Sequence, residues 1–284
     1  MSASMPRVAV VGHVEWVQFA RVERVPRAGE VVHAHDPFEE PAGGGAVAAV
    51  QLARLAGRAV LVTALGDDDL GHRSVARLQE LGVEVRASWR GQPTRRAYTL
   101  VDDAGERTIT TIGERLEPLG ADREAGWQSL GELDAVYFTA GDLDSLRAAR
   151  RASRVLVASP RARYVLGHGV SLDALVLSGR DDLERSEADR AEAEAELLVL
   201  TAGPRGGSYR ARSGREGEWA AATPPGPAVD AYGCGDSFAA GLTFGLGTGL
   251  ALPESVALAA RCGAVCLTGA GPYERQLSAR DLKG

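Results

Sequence analysis

The residues best placed to do chemistry lie in Asp230-Ala231-Tyr232-Gly233-Cys234-Gly235-Asp236, just ahead of an apolar run, Phe238 to Leu246, with helical spacing. Glycines at a helix start let backbone approach a ligand closely, and the unpaired first-turn amides together with the helix dipole attract anions. Phosphate suits such a nest. Asp236 falls in that first turn, where a carboxylate ordinarily caps the helix or complements its dipole. A negative side chain beside a phosphate site repels the ligand unless it has a task, and accepting a hydroxyl proton is such a task. The helix N-terminus is expected to lower the pKa of Asp236 and make it a weak base. Phosphoryl transfer tolerates this, because its loose transition state needs the attacking hydroxyl oriented and its proton collected late. In this reading the amides of Gly233, Cys234, Gly235 and Asp236 hold the transferring phosphoryl oxygens.

The elements that must position this segment are legible as alternating short apolar runs and helical patterns. Strands are expected at Val8 to Val11, Ala59 to Leu65, Ala135 to Thr139, Val155 to Ala158, Ala174 to Leu177 and Leu197 to Thr201. Helices are expected from Ala46 to Ala56, stopping at Gly57, and from Leu70 to Leu81, stopping at Gly82. Strands that are apolar throughout imply a sheet covered on both faces, hence a three-layer α/β/α core with mostly parallel strands. Residues 13–40 and 91–112 alternate like surface strands without intervening helices, with a turn at Asp102-Asp103-Ala104-Gly105. They are expected to form a small antiparallel β lid over the site, the alternative being a pair of surface hairpins. Trp16, Trp89 and Tyr98 are placed in the lid strands, where they would stack on a nucleobase, pack the lid or make a dimer contact.

Composition removes several classes of function. The chain has 284 residues, a net charge of -6 and no basic block, so nucleic acid is not an expected partner. Its only lysine is Lys283, which rules out a Walker P-loop and any chemistry that needs a buried lysine amine. The apolar run that ends at Gly12 is too short for a signal peptide or a membrane span, so no membrane partner and a cytoplasmic location are expected. Cys234, Cys262 and Cys266 are an odd count in a large chain, and Cys262 and Cys266 lack a neighbouring His or Cys to complete a metal site. Both are expected to be core thiols.

The motif Asp230-x-x-Gly233-x-Gly235-Asp236-x-Phe238 resembles the C-terminal signature of the ribokinase (PfkB) family of carbohydrate and nucleoside kinases. Gly43-Gly44-Gly45 resembles that family's N-terminal diglycine segment for substrate binding. Ala64-Leu65-Gly66-Asp67-Asp68, Leu81-Gly82-Val83 and Leu200-Thr201-Ala202-Gly203-Pro204-Arg205-Gly206-Gly207 follow in the family's order, nearly the full length of the chain. The resemblance implies a single ribokinase-like domain over 1–284, Asp236 as the base, and ATP contacts at Thr201, Gly203 and Gly206. It also implies Mg2+, and a monovalent cation near Asp230 in some relatives.

Departures fall on the substrate side. Gly45 and Ala48 replace family asparagines, and the sugar-gripping aspartate falls near Val17, leaving Glu15 as the candidate carboxylate. The Asn-x-x-Glu segment that organises magnesium and phosphates is matched to Gly179-Arg180-Asp181-Asp182, with Asp182 expected to act on the metal through water. Ser159-Pro160-Arg161-Ala162-Arg163 stands in place of Asp-Pro-Asn-x-Arg, so Arg161 and Arg163 are available to an anionic substrate. The expected activity is therefore ATP-dependent phosphorylation of a small sugar or nucleoside. The alternative is a catalytically weak, kinase-like sugar or nucleotide binding protein. Dinucleotide binding at Gly43-Gly44-Gly45-Ala46-Val47-Ala48 is disfavoured, because no buried strand leads directly into it. The edges of a small lid sheet also invite pairing with a second copy, which makes a homodimer an expectation.

Overall fold

Alternate residues of the first strand enter opposite apolar cores: Val8 and Val10 pack in one, Ala9 and Val11 in the other. That division follows from the two-residue period of a strand, and it requires cover on both faces of the sheet. In the computed structural model, which describes residues 5–282, helices supply it. Lys283 lies outside the described residues.

The first half of the chain contributes β1 (Val8–Val11), β2 (Glu15–Arg21), β3 (His35–Ala42), α1 (Gly44–Ala56), β4 (Ala59–Gly66), α2 (Asp69–Glu80) and β5 (Val83–Arg90). It continues with β6 (Arg96–Val101), β7 (Arg107–Ile112), β8 (Leu133–Phe138), α3 (Leu143–Ala152) and β9 (Ser153–Ala158). The second half contributes β10 (Ala174–Ser178), α4 (Asp182–Ala191), β11 (Leu197–Thr201), β12 (Gly207–Ala211), β13 (Glu216–Trp219), α5 (Cys234–Gly247) and α6 (Leu252–Cys266). Nine strands form one sheet in the order β13-β12-β11-β10-β9-β8-β1-β4-β5. Its pairs are parallel except for β11 with β12 and β12 with β13. Apolar residues of α1, α5 and α6 build one core, while Leu146 and Ala149 of α3 and Ala188 and Ala191 of α4 belong to the other. This is the three-layer architecture expected from the apolar runs.

The lid is a separate four-stranded sheet in the order β3-β2-β6-β7. It is not fully antiparallel: β2 and β6 pair in parallel, from Trp16 opposite Arg96 to Arg21 opposite Val101. The reason is topological. β2 follows β1 and β6 follows β5, two strands that point the same way in the main sheet, so both leave its C-terminal end in one direction. Residues 22–34 contain no strand, and the second lid strand begins at His35. Trp89 belongs to β5 of the main sheet, where its ring lies 4.3 Å from that of His72. Trp16 packs the lid down: it is buried, donates to Glu39 at 3.1 Å and lies under the Arg73 guanidinium. Tyr98 remains exposed.

Candidate active site

Three segments far apart in sequence meet at the first turn of α5. Gly233 precedes it with φ 80°, a left-handed conformation that glycine adopts without the penalty of a side chain. Behind it, Asp230 is buried, and its two carboxylate oxygens accept the amides of Tyr232 at 2.8 Å and Gly271 at 2.9 Å. Charge-assisted bonds of this kind are worth about 1.5–3 kcal/mol each, so Asp230 fixes the loop. Burial nevertheless pushes its pKa up. Tyr232 carries the connection onward: its hydroxyl accepts the Gly43 amide at 3.3 Å, and its ring packs edge-on against Phe19 of the lid at 4.9 Å.

The diglycine segment meets Asp236 directly. A Cβ placed on Gly44 would stand 3.0 Å from Asp236 Oδ1 and 3.4 Å from Thr139 Oγ1, so the absent side chain is what lets α1 approach. Gly43 lies against the His13 ring in the same way, with His13 Nε2 3.0 Å from the position of a Cβ. Gly45 has a different role from the one expected. Its Cβ would collide with His13 O at 2.6 Å and the Gly12 carbonyl carbon at 2.7 Å, so it allows α1 to seat on the end of β1 rather than facing a substrate.

At Gly235 no protein atom beyond its chain neighbours and its own helix backbone lies within 4 Å of where a Cβ would stand. Open space beside first-turn amides is what an anion cradle requires. The amide of Cys234 makes a long 3.5 Å bond back to Ala231 O, and the Ser237 amide begins the helical ladder on Gly233 O at 2.8 Å. The Cys234 thiol is held well above its ordinary pKa by the neighbouring Cys266 thiol and by burial, so Cys234 offers the site its backbone and not a thiolate. Cys262 and Cys266 are buried free thiols, as expected.

The direction of the Asp236 pKa shift differs from the sequence expectation. Its pKa is raised, because loss of bulk solvent around the carboxylate outweighs the attraction of Arg161 and Arg107. Arg107 lies on β7, which forms the exposed edge of the lid, opposite Val101 of β6. Glu15 is also buried, with Oε2 3.4 Å from Arg95 Nε, and burial raises its pKa against the pull of Arg95, Arg115 and Arg161. Thus Glu15, Gly43, Gly44 and Asp236 form one cluster.

Asp182 does not join it. Its side chain is 89% exposed and pairs with Arg185 on the outer surface of α4. Of its neighbours, Glu184 is buried and Asp181 is half-exposed. Asp181 caps α4 by accepting the Leu183 and Glu184 amides, while Glu184 accepts Ser178 N at 2.8 Å and pairs with Arg161 Nε at 2.8 Å. Asp181 and Glu184 have the spacing of the Asn-x-x-Glu segment, two residues on from the Gly179 to Asp182 register expected from sequence. Burial raises the pKa of Glu184, and repulsion from Asp236 adds to the rise. Among the described residues no group of three or more His, Cys, Asp or Glu side chains is arranged to hold a metal. Mg2+ needs only one or two carboxylates when phosphates supply other ligands, and the oxygen donors of Glu184 and Asp181 fit that requirement.

The segment expected to contact nucleotide forms an open groove of about 700 Å³ lined by Gly179, Thr201, Ala202, Arg205, Gly207 and Trp219. Gly206 shapes it, since a Cβ there would overlap Trp219 O at 1.9 Å, and Gly203 begins the short turn before it. Trp219 stacks on Phe238 with centroids 5.7 Å apart, which ties this groove to α5. His13, Tyr232, Thr139, Glu184 and Trp219 had not been singled out as site residues from sequence. Only Glu184 carried a usable signal, its place three residues after Asp181.

The chain matches the sequence model described as pfkB family carbohydrate kinase over residues 5–158 and 172–279. It is 29% identical over 255 residues to an ATP-dependent ribose-1-phosphate kinase of Halopiger xanaduensis, a match covering 84% of this chain and 83% of that protein. Its structure resembles that of a ribokinase from Giardia lamblia with a TM-score of 0.81 at 17% identity, covering 98% of each chain. It also resembles an Arabidopsis thaliana ribokinase complexed with ribose and ATP, with a TM-score of 0.73 at 18% identity, covering 98% of this chain and 97% of that one.

Proposed function

The chain belongs to the pfkB family of carbohydrate kinases, and from that premise we propose that it transfers the γ-phosphoryl group of ATP to a hydroxyl of a small sugar or nucleoside. The observation that carries the proposal is the meeting of Asp236 with the missing side chain of Gly44 at 3.0 Å, beside the open space at Gly235. Acceptor, base and phosphate cradle then share one point.

In this mechanism the acceptor lies over Gly43 and Gly44, with Glu15 at its far side. ATP lies along the groove of Thr201, Gly203 and Gly206 with its terminal phosphate at the α5 N-terminus. The amides of Gly233, Cys234, Gly235 and Asp236 hold the transferring oxygens. Asp236 orients the hydroxyl and takes its proton as the new bond to phosphorus forms. The raised pKa makes it a better proton acceptor than an ordinary aspartate. Magnesium bound with the phosphates supplies charge neutralisation, and Glu184 and Asp181 would hold it, through water for the more distant contacts. The exposed edge strand β7 is the place where a second copy would pair, and sedimentation showing monomer alone would remove that part of the proposal.

The test is ADP formation with ATP and magnesium across sugars, sugar phosphates and nucleosides. A protein that binds no ATP and uses no acceptor on that panel is not a kinase.

A further inference from the structure

We propose that the acceptor carries a phosphate monoester remote from the hydroxyl that reacts, and that Arg95, Arg115, Arg161 and Arg163 grip it. The inference deepens the kinase reading and rests on it for the identity of the site. Four guanidinium groups from three separate segments converge beyond Asp236. Arg95 lies beside the start of β2, where its carbonyl accepts the Trp16 amide at 2.9 Å. Arg115 follows β7 and donates to the carbonyl of Arg161 at 2.9 Å. Arg161 and Arg163 share the loop after β9.

The pairing within this group is incomplete. Arg115 has Glu117, and Arg161 has Glu184. Arg95 Nε comes within 3.4 Å of Glu15 Oε2, yet both atoms are buried without a hydrogen bond. Arg163 forms no ion pair among the described residues, although its φ of 51° and ψ of -122° are a conformation that side-chain-bearing residues rarely adopt. Backbone of that kind persists where the surroundings impose it, often at ligand sites. Burial holds His13 neutral, and all four arginines add to that effect, which places their charges around one centre. Burial lowers the pKa of Arg115, and repulsion from Arg163 and Arg95 adds to that against the pull of Glu117.

Arg95 and Arg115 are largely buried while Arg161 and Arg163 reach solvent; a multiply charged anion relieves the mutual repulsion of such a cluster, and the planar guanidinium forks match phosphate oxygens. A neutral sugar hydroxyl gives no such return. The nucleotide groove lies on β11 to β13, and Arg161, paired with Glu184, borders the carboxylates proposed for magnesium. Arg95, between β5 and β6, and Arg115, after β7, belong to the lid side of the site, away from that groove.

Equilibrium binding provides a test independent of turnover. Ribose 1-phosphate, ribose 5-phosphate and fructose 6-phosphate would each be titrated by calorimetry against the parent sugar, with gluconate and ADP alongside, into the full chain and Arg163→Gly. That variant removes the charge and relieves the backbone, so it folds. We expect at least one sugar phosphate to bind about tenfold or more tightly than its parent sugar, the scale of one charge-assisted contact. Arg163→Gly should narrow that gap and leave ADP binding unchanged. Equal binding of sugars and their phosphates, including none by either, overturns the proposal. So does tighter binding of gluconate than of any sugar phosphate, or a loss in Arg163→Gly confined to ADP. Parallel ADP formation separates the two readings: a chain that binds sugar phosphates without turnover keeps the anion site and loses the kinase, and one that phosphorylates only neutral acceptors does the reverse.

Discussion

Replacing Gly235 by valine should separate the stability of this protein from its activity. Gly235 lies in the first turn of α5, and beyond its chain neighbours and its own helix backbone no protein atom lies within 4 Å of where its side chain would stand. In a helix glycine is about 1 kcal/mol, and valine roughly 0.5 kcal/mol, less favourable than alanine, so the exchange leaves stability unchanged or raised by about 0.5 kcal/mol. For a chain of this size that is a shift in Tm of about 2 °C or less. The isopropyl group would occupy the space proposed for a phosphoryl oxygen and bar it from the first-turn amides. Losing one such donor costs about 10²- to 10³-fold in kcat, and obstructing the whole cradle costs at least that much. Thermal melting without ligand, followed by steady-state ADP formation with the acceptor found on the panel, measures both quantities. Wild-type kinetics at an unchanged Tm would refute the anion cradle, and a large fall in Tm would refute the open space. The neighbouring Gly233→Ala is the contrast. Its φ of 80° and a Cβ 2.9 Å from Val47 Cγ1 predict a loss of at least about 1–2 kcal/mol in stability.

Asp236→Asn should lower kcat by about 10²-fold or more with ATP affinity nearly unchanged, and normal turnover would reduce Asp236 to a helix-terminal charge. In the wild type the acid limb of kcat against pH should lie above the ordinary aspartate value of about 3.9, because protonation of Asp236 in its raised range removes the base. His13 sets a stability limit of its own: its folded pKa lies well below the ordinary value of 6.5, so protons bind the unfolded chain first as pH falls. Stability should be full above about pH 6.5, decline below it, and decline less in His13→Asn, as read by denaturant titration at several pH values. Glu184→Gln should raise the magnesium concentration needed for half-maximal activity, whereas Asp182→Asn, at an exposed position paired with Arg185, should leave it unchanged.

The sequence by itself determined the layered core, because its strand runs are apolar on both faces and its helices stop at Gly57 and Gly82. It also located the glycines at the start of α5 where the phosphate cradle is proposed, since a glycine pair at a helix start is a local arrangement that needs no distant partner. The absence of any lysine before residue 283 narrowed the chemistry for the same reason. What required the tertiary structure were properties created by contact between distant segments. Gly44 and Asp236 meet across 192 positions, and Gly45 proved to seat a helix on Gly12, neither of which any spacing rule reports. The parallel pairing of β2 with β6 depended on where β1 and β5 leave the main sheet. Which acidic residue of Asp181-Asp182-Leu183-Glu184 faces inward was decided by the phase of α4, not by residue type. The sign of the Asp236 shift came last. A helix dipole is readable from sequence and lowers the pKa, but desolvation depends on everything that closes around the carboxylate, and here it is the larger effect.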